Sequence, residues 1–478
     1  MKWLKVGCVA VALAFVPQVF ASPVKARDFP ASDNKTATIT LSSSLGTPEH
    51  LASGFIYGIP DRPNQIPSEF YTGMGFKYGR AGGAQTPSRG WLAGFSQYQP
   101  RFQSALSNYR TARQYGARFQ LLIHDMWGAD GGESKTAPFP GDNGVLTMGF
   151  TYDEFLAQVI FDIKANDMTD GLDIDIWNEP DISVFWQSGN QEQWIQMWGR
   201  GYATLREAFG ADVQLVGPSL AYRPATNNTW WTNFLSFVGP NSSVPDQYTW
   251  HVEGEPDDPT NDPEQSSADL KALLATYSLP EKQFNINEYG TRPEQQPAGA
   301  AWFISRLERN NLIGLRGNWA SAGELHDYLA NLLGKPGANT TAYNINGTGY
   351  WPNGEWQVYN YYVNMNGERV GTSGAGDRKF DCFATKDGSS RQEVKILCGT
   401  RLVGDTYQVT VEDLSSVGLS PSGTLQIHTY RFDFDGSTYA DVSGPVDLGV
   451  ASHDYNGDSV TWQVTPATNQ TAYAFEFC

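Results

Sequence analysis

The sequence predicts a (β/α)8 barrel followed by a smaller antiparallel β-domain, and three observations carry that reading. Between Ser53 and Asn364, short apolar strands alternate with stretches of helical periodicity, the pattern of parallel strands joined by crossover helices. After Gly367 the texture changes to strands separated by Gly, Ser and Asp turns. Two strands of the first part run into a glutamate, at Glu179 and Glu288, and barrels of this kind build their sites at the carboxyl ends of their strands.

In chain order, residues 1–21 read as a secretory signal, with a lysine-flanked start, an apolar run from Val6 to Val16 and small residues around Ala21. That run is shorter than the roughly 18–20 apolar residues of a membrane span, and no later stretch approaches them, so a secreted chain without a membrane partner is expected. Sequons at Asn34, Asn227, Asn241, Asn339, Asn346 and Asn469 fit a glycosylated secretory route. Residues 22–52 contain the strand-like Thr36–Leu41, which precedes the barrel and is expected to pair with the C-terminal sheet.

Residues 53–366 form the expected barrel. Its strands are predicted over Gly54–Ile59, Gly75–Gly79, Phe119–His124, Leu172–Trp177, Val213–Val216, Tyr248–Val252, Phe284–Asn287 and Ile313–Asn318. Helices are predicted over Phe102–Tyr115, Tyr152–Asn166, Glu192–Phe209, Trp230–Val238, Ala268–Tyr277 and Ala298–Glu308, with Trp356–Asn364 closing the set. The connections Ala129–Gly149 and Ala320–Glu355 are long, and the second is a candidate wall or lid of the site, with surface decoration as the alternative. Residues 367–478 form the β-domain, a β-sandwich with strands over Lys379–Thr385, Glu393–Cys398, Tyr407–Val411, Leu425–Phe432, Val460–Val464 and Ala472–Phe477. A structural role, packed on the side of the barrel, is expected for it.

With 51 acidic against 33 basic side chains and a net charge of −18, the surface repels polyanions, so nucleic acid is not an expected partner. The 15 Trp and 23 Tyr include faces suited to stacking on sugar rings, although most serve the core. Cys8 leaves with the signal, and an oxidising compartment favours one disulfide among Cys382, Cys398 and Cys478 with one odd thiol. Spacing leaves all three pairings open. No Cys/His cluster has metal-site spacing, and no cofactor is expected.

The fourth strand alternates aliphatic Leu172, Ile174 and Ile176 with Asp173, Asp175, Trp177 and Glu179. The aliphatic parity belongs against the helices, which aims Glu179 inward at the strand's end. Pro180 disfavours the helical conformation at Glu179 and holds its carboxyl at the rim. Asn178-Glu179-Pro180 alone also suits a polar turn; the second strand-end glutamate, Glu288, changes the weight. Glu288 shares its parity with Phe284 and Ile286, so alternation does not aim it inward. Retaining cleavage of a glycosidic bond needs one carboxylic acid to protonate the leaving oxygen and one carboxylate, about 5–5.5 Å away, to attack the anomeric carbon.

Asp175-Ile176-Trp177-Asn178-Glu179-Pro180-Asp181 and Asn287-Glu288-Tyr289-Gly290, within the order strand, barrel, closing helix and β-domain, give a resemblance over Thr36–Cys478. The chain resembles the clan of retaining barrel glycosidases, clan A, and within it glycoside hydrolase family 39. The resemblance implies Glu179 as acid/base, Glu288 as nucleophile and Asn178 as hydrogen-bond donor to the sugar 2-hydroxyl. His251 matches a strand-six histidine of relatives, while Glu253 stands where they often have tyrosine; a third carboxylate there suits binding a hydroxyl or raising a neighbour's pKa. Arg80 is a candidate to fix the nucleophile's charge or meet a substrate hydroxyl, or else to form a salt bridge in the barrel mouth; His124 orients a hydroxyl or is a structural histidine, and Trp319 floors the reacting sugar or packs in the core. Trp127, Trp177 and Trp351 are weaker candidates of that last kind. The expected activity is hydrolysis of a plant cell-wall or microbial matrix polysaccharide or oligosaccharide by double displacement, without a metal. A non-catalytic carbohydrate-binding protein on the same barrel is the alternative.

Overall fold

The computed structural model describes residues 32–83, 88, 90–123, 151–186, 190–258, 260–320, 322–387 and 393–478. The signal segment, His124, Trp127 and the connection over residues 129–149 lie outside them. No helix among the described residues is long and apolar enough to cross a membrane.

Strand β1 (Thr36–Ser44) is followed by the eight barrel strands: β2 (Gly54–Ile56), β3 (Tyr78–Ala81), β4 (Arg118–Leu122), β5 (Leu172–Asp175), β6 (Gln214–Leu220), β7 (Gln247–Val252), β8 (Gln283–Tyr289) and β9 (Leu312–Arg316). Each pairs in parallel with the next, and β9 returns to β2 through Phe55 and Arg316, closing the barrel. The helices are α1 (Ser68–Gly73), α2 (Phe95–Gln114), α3 (Tyr152–Ala165), α4 (Gln191–Phe209), α5 (Thr229–Val238), α6 (Pro263–Thr276), α7 (Pro297–Asn310) and α8 (Gly354–Val363). Their starts are written locally. Thr151 and Glu154 form a reciprocal capping box on α3, and Asp262 caps α6 ahead of Pro263. The second barrel strand lies later than predicted, at Tyr78–Ala81 rather than Gly75–Gly79, because Gly75 belongs to the turn after α1, with φ of 62°.

The aliphatic parity of β5 behaves as expected: Leu172, Ile174 and Ile176 are fully buried in the main apolar core, whereas the Asp173 and Asp175 carboxylates meet partners inside the barrel. The C-terminal part consists of β12 (Glu368–Ser373), β13 (Phe380–Asp387), β14 (Glu393–Thr400), β15 (Tyr407–Glu412), β16 (Gly423–Phe432), β17 (Val446–Tyr455), β18 (Ser459–Val464) and β19 (Ala472–Phe477), after a small pair, β10 (Leu333–Gly334) and β11 (Trp351–Pro352). The large sheet runs β17-β16-β19-β14-β13-β12-β1-β15-β18, and its two ends touch, so it curls around a second apolar core. As expected, β1 enters it, antiparallel to β12 and parallel to β15. Cys382 and Cys398, opposite each other on β13 and β14, form the disulfide, which leaves Cys478 free and exposed. Helix α7 is buried almost all round because it lies between the barrel and β13, β14 and β19.

The connection over residues 322–355 is a packed insert. Tyr328, Leu329, Ala330 and Asn331 all take left-handed conformations, φ 47° to 67°, each costing about 1–2 kcal/mol in an L-residue. The turn is held by Leu329 N–H donating to Gly58 O at 3.1 Å and Gly58 N–H donating to Leu325 O at 2.8 Å. Only glycine fits at position 58, since a Cβ there would stand 2.3 Å from the Ala330 nitrogen. Asp327 gathers the rest: it accepts from Tyr343 at 2.9 Å and Tyr350 at 2.6 Å and pairs with the buried Lys335.

Candidate active site

Strand β5 delivers Asn178 and Glu179 to the barrel mouth. Glu179 has φ of 46°, so Pro180 goes with a left-handed rather than an extended residue before it. For a non-glycine residue such a conformation costs about 1–3 kcal/mol and must be imposed by its surroundings. Here Glu179 N–H donates to Ser219 O at 2.9 Å, and Glu179 O accepts from Ile182 N–H at 3.0 Å. Two residues on, Asp181 accepts from the backbone N–H groups of Ala221 and Tyr222 at 2.9 and 3.0 Å, tying this turn to the end of β6. Burial pushes the Asp181 carboxyl up to about 6.

Glu288 reaches the interior through an irregularity that alternation does not reveal. Up to Ile286, β8 is in register with Trp250 of β7; then His251 pairs with Glu288, so Asn287 is the extra residue. Such a bulge re-aims side chains, and it breaks the parity shared by Phe284, Ile286 and Glu288. Asn287 also faces inward, donating to Gln120 Oε1 at 3.2 Å, Asp175 Oδ2 at 3.1 Å and Ser219 Oγ at 2.9 Å.

Arg80, from β3, is the hub. Its guanidinium donates to Asp175 Oδ2 at 2.9 Å, to Asn178 Oδ1 at 2.7 Å and to Glu288 Oε1. The contact with Asn178 occupies the amide oxygen and leaves its NH2 group as the end available for donation. His251 stands between the two glutamates, with Nδ1 2.7 Å from Glu179 Oε1 and Nε2 3.8 Å from Glu288 Oε1. Burial pushes the imidazole down to about 4, against the pull of Glu288, so the ring is neutral above that pH. One arginine and one neutral histidine thus bring both strand-end glutamates into one cluster.

Beside it opens a cavity of about 1010 Å³ whose lining includes Glu179, Glu253 and Trp319, but not Glu288. Its walls come from residues 221–228 after β6, 253–261 after β7 and 291–293 after β8. Trp319 is 42 % exposed, its indole N–H fixed on Gly290 O at 3.0 Å. Tyr222 is a lining aromatic that the sequence reading missed; it is exposed, and only its place beside Asp181 in space marks it out. The described residues of the connection over 320–355 do not line this cavity; they form a packed insert over β2. Trp177 and Trp351 are corrected. Trp177 is buried against Trp186 and bonded to Phe185 O, while Trp351 is held on Tyr439 O.

Glu253 packs so tightly on the backbone after β9 that a Cβ on Gly317 would lie 2.1 Å from its Oε1. Burial, then the charges of Glu288 and Glu179, hold its carboxyl well above the usual range. An acid shifted upward by folding contributes stability below its unfolded pKa of about 4.3, and loses it as pH rises through the folded value. Glu253→Gln should therefore gain thermal stability on wild type from pH 4 to pH 8, the gap in Tm widening by about 2 °C or more. A gap that stays constant between those pH values would show that Glu253 ionises normally.

No protein-family sequence model matches the chain, and no curated protein matches it by sequence. Solved structures do match it in shape. N2152 from Neocallimastix frontalis superposes with a TM-score of 0.71 at 20% identity over 92% of this chain and 98% of that one. A GH39 enzyme from Xanthomonas axonopodis pv. citri gives 0.54 at 12% identity, covering 94% and 98%. A monomeric beta-xylosidase from Caulobacter crescentus CB15 gives 0.55 at 13%, covering 93% and 99%. Nearly the whole length of each is matched, and the chain therefore has the fold of the GH39 enzyme and the beta-xylosidase, a (β/α)8 barrel with a β-domain.

Proposed function

We propose that the protein is a secreted, retaining O-glycoside hydrolase acting by double displacement on neutral plant cell-wall or microbial matrix glycans. The observation that carries this reading is the convergence of Glu179 and Glu288 on Arg80, Asn178 and His251 at the carboxyl ends of the barrel strands. In the first step the Glu288 carboxylate attacks the anomeric carbon while Glu179 gives its proton to the departing oxygen. The bond to the leaving group breaks and a glycosyl ester on Glu288 forms. Glu179, now ionised, takes a proton from water, whose oxygen displaces Glu288 and restores both groups. With its oxygen held by Arg80, Asn178 has its NH2 group left to donate to the 2-hydroxyl of the sugar in this reading, a bond that would strengthen as positive charge grows at the neighbouring carbon.

Neutral sugar is favoured by charge. The cavity wall carries the carboxylates of Glu255 and Asp258, while the Arg223 guanidinium in it is paired with Asp269 at 2.7 Å. A uronate would enter against that field. The matched structures include a GH39 beta-xylosidase and a bifunctional glucanase-xylanase, which agrees with a neutral backbone sugar. The test is hydrolysis of a panel of aryl glycosides and polysaccharides at mildly acidic pH, followed by NMR of the first-formed anomer. Release of the anomer of the substrate's own configuration is expected; the opposite anomer would sink the mechanism, and turnover of uronides alone would sink the substrate class.

A further inference from the structure

We infer that the C-terminal β-domain sets the shape of the substrate cavity, through Arg401 and Lys379 acting as positioning residues on two of its wall-forming loops. Arg401, directly after β14, is buried, and reaches out of its own domain. Its Nε donates to Glu294 Oε1 at 2.5 Å and its Nη1 to Asn261 O at 2.6 Å. One guanidinium thus bridges the loop after β7 and the loop after β8.

The contact on the β8 side leads back to the reacting groups. The other oxygen of Glu294, Oε2, accepts from the backbone N–H of Thr291 at 2.8 Å and from its hydroxyl at 2.7 Å. Thr291 lines the cavity and follows Glu288 by a single turn of chain, and the intervening Gly290 N–H is fixed on Val252 O at 3.1 Å. On the β7 side, Asn261 lines the cavity at the far end of the segment that begins with Glu253.

Lys379, directly before β13, holds the middle of that segment, its Nζ donating to Pro256 O at 2.9 Å and Asp257 Oδ1 at 3.1 Å. The two clamps are coupled, since Arg401 N–H donates to Lys379 O at 2.8 Å. Trp302 of α7 lies beneath the Arg401 guanidinium, 4.7 Å from ring centre to its carbon, which fixes the arginine's plane. A domain needed only to cover apolar surface has no use for two cations directed at loop backbone. These loops line the cavity that Glu179 lines and Glu288 does not, and the inference places there the part of the substrate beyond the cleaved bond.

This inference rests on the glycosidase reading, and the experiment separates the two. Full-length Arg401→Gln and Lys379→Ala are compared with wild type by hydrogen exchange and by kinetics on two substrates sharing one glycone, an aryl glycoside with a small leaving group and an oligosaccharide. Faster exchange over residues 253–262, joined in Arg401→Gln by residues 291–296, is expected, with barrel strands unchanged. The ratio of kcat/KM for the oligosaccharide to that for the aryl glycoside should fall about tenfold in Arg401→Gln, mainly through KM, and less in Lys379→Ala. Equal losses on both substrates with a lowered Tm would reduce Arg401 to a structural role, and unchanged loop exchange would overturn the clamp. If wild type hydrolyses nothing, the reading of the site fails while the exchange arm still decides whether the clamp exists.

Discussion

Glu288→Gln is expected to lower kcat by at least about 10⁴-fold while leaving sugar binding and the fold intact, because it removes the only group assigned to attack the anomeric carbon. The amide is isosteric with the carboxylate and can still accept from Arg80, so the neighbouring side chains have no reason to move. Glu179→Gln should behave differently. Proton donation matters in proportion to how poor the leaving group is, so this variant should lose about 10²–10⁴-fold on oligosaccharides and much less on aryl glycosides with acidic phenols. A small anion such as azide should sharpen the contrast. In Glu288→Ala it would enter in place of the carboxylate and give a product of inverted configuration; in Glu179→Ala it would attack the ester and give a retained one. Identical losses on all leaving groups in both variants, or full activity in Glu288→Gln, would remove the roles assigned here. Persistent sugar binding by a wild-type protein that turns over nothing would favour the non-catalytic alternative.

The reach of the sequence can be judged residue by residue. Barrel and β-domain were legible because apolar alternation and helix periodicity report burial directly, and on β5 the split between Leu172, Ile174, Ile176 and the aspartates is that rule at work. The pairing of β1 with the C-terminal sheet was legible for the same reason. What alternation cannot report is irregularity. The bulge at Asn287 decides where Glu288 points, and the left-handed φ of Glu179 is imposed by Ser219, forty residues away in sequence. The strand β17 was overlooked since its residues are almost all exposed and Asp447, Gly449 and Asp454 interrupt it, leaving little burial for a pattern to record. Arg401 and Lys379 carry no local signal at all. Their contacts join residues more than a hundred positions apart, and only the packing of the two parts of the chain brings them together.

Arg80→Met is expected to destabilise the protein by about 3–5 kcal/mol at neutral pH, the cost of leaving buried acidic groups without their cation. Arg80 and Asp175 have fully buried side chains, and Glu288 is nearly so. Asp175 keeps the Ser219 hydroxyl at 2.9 Å and the Asn287 amide at 3.1 Å, neither of which carries charge. Burial already pushes the Asp175 carboxyl up even with Arg80 present, and removing the guanidinium moves it further in the same direction. The sign of the pH dependence follows. With its folded value above its unfolded one, the stability linked to this proton is complete below about pH 3.9 and is lost as pH rises through the folded value. The deficit of Arg80→Met against wild type should therefore be small near pH 4 and large at pH 7–8, measurable as urea midpoints at the two pH values. Arg80→Lys restores the charge on a stem that cannot fork to Asp175, Asn178 and Glu288 together, so it should recover much of the stability but little of kcat. That split is the discriminating result. If lysine restored activity as fully as stability, charge alone would be what Arg80 supplies, and the three-way geometry at the end of β3 would have no part in orienting the nucleophile.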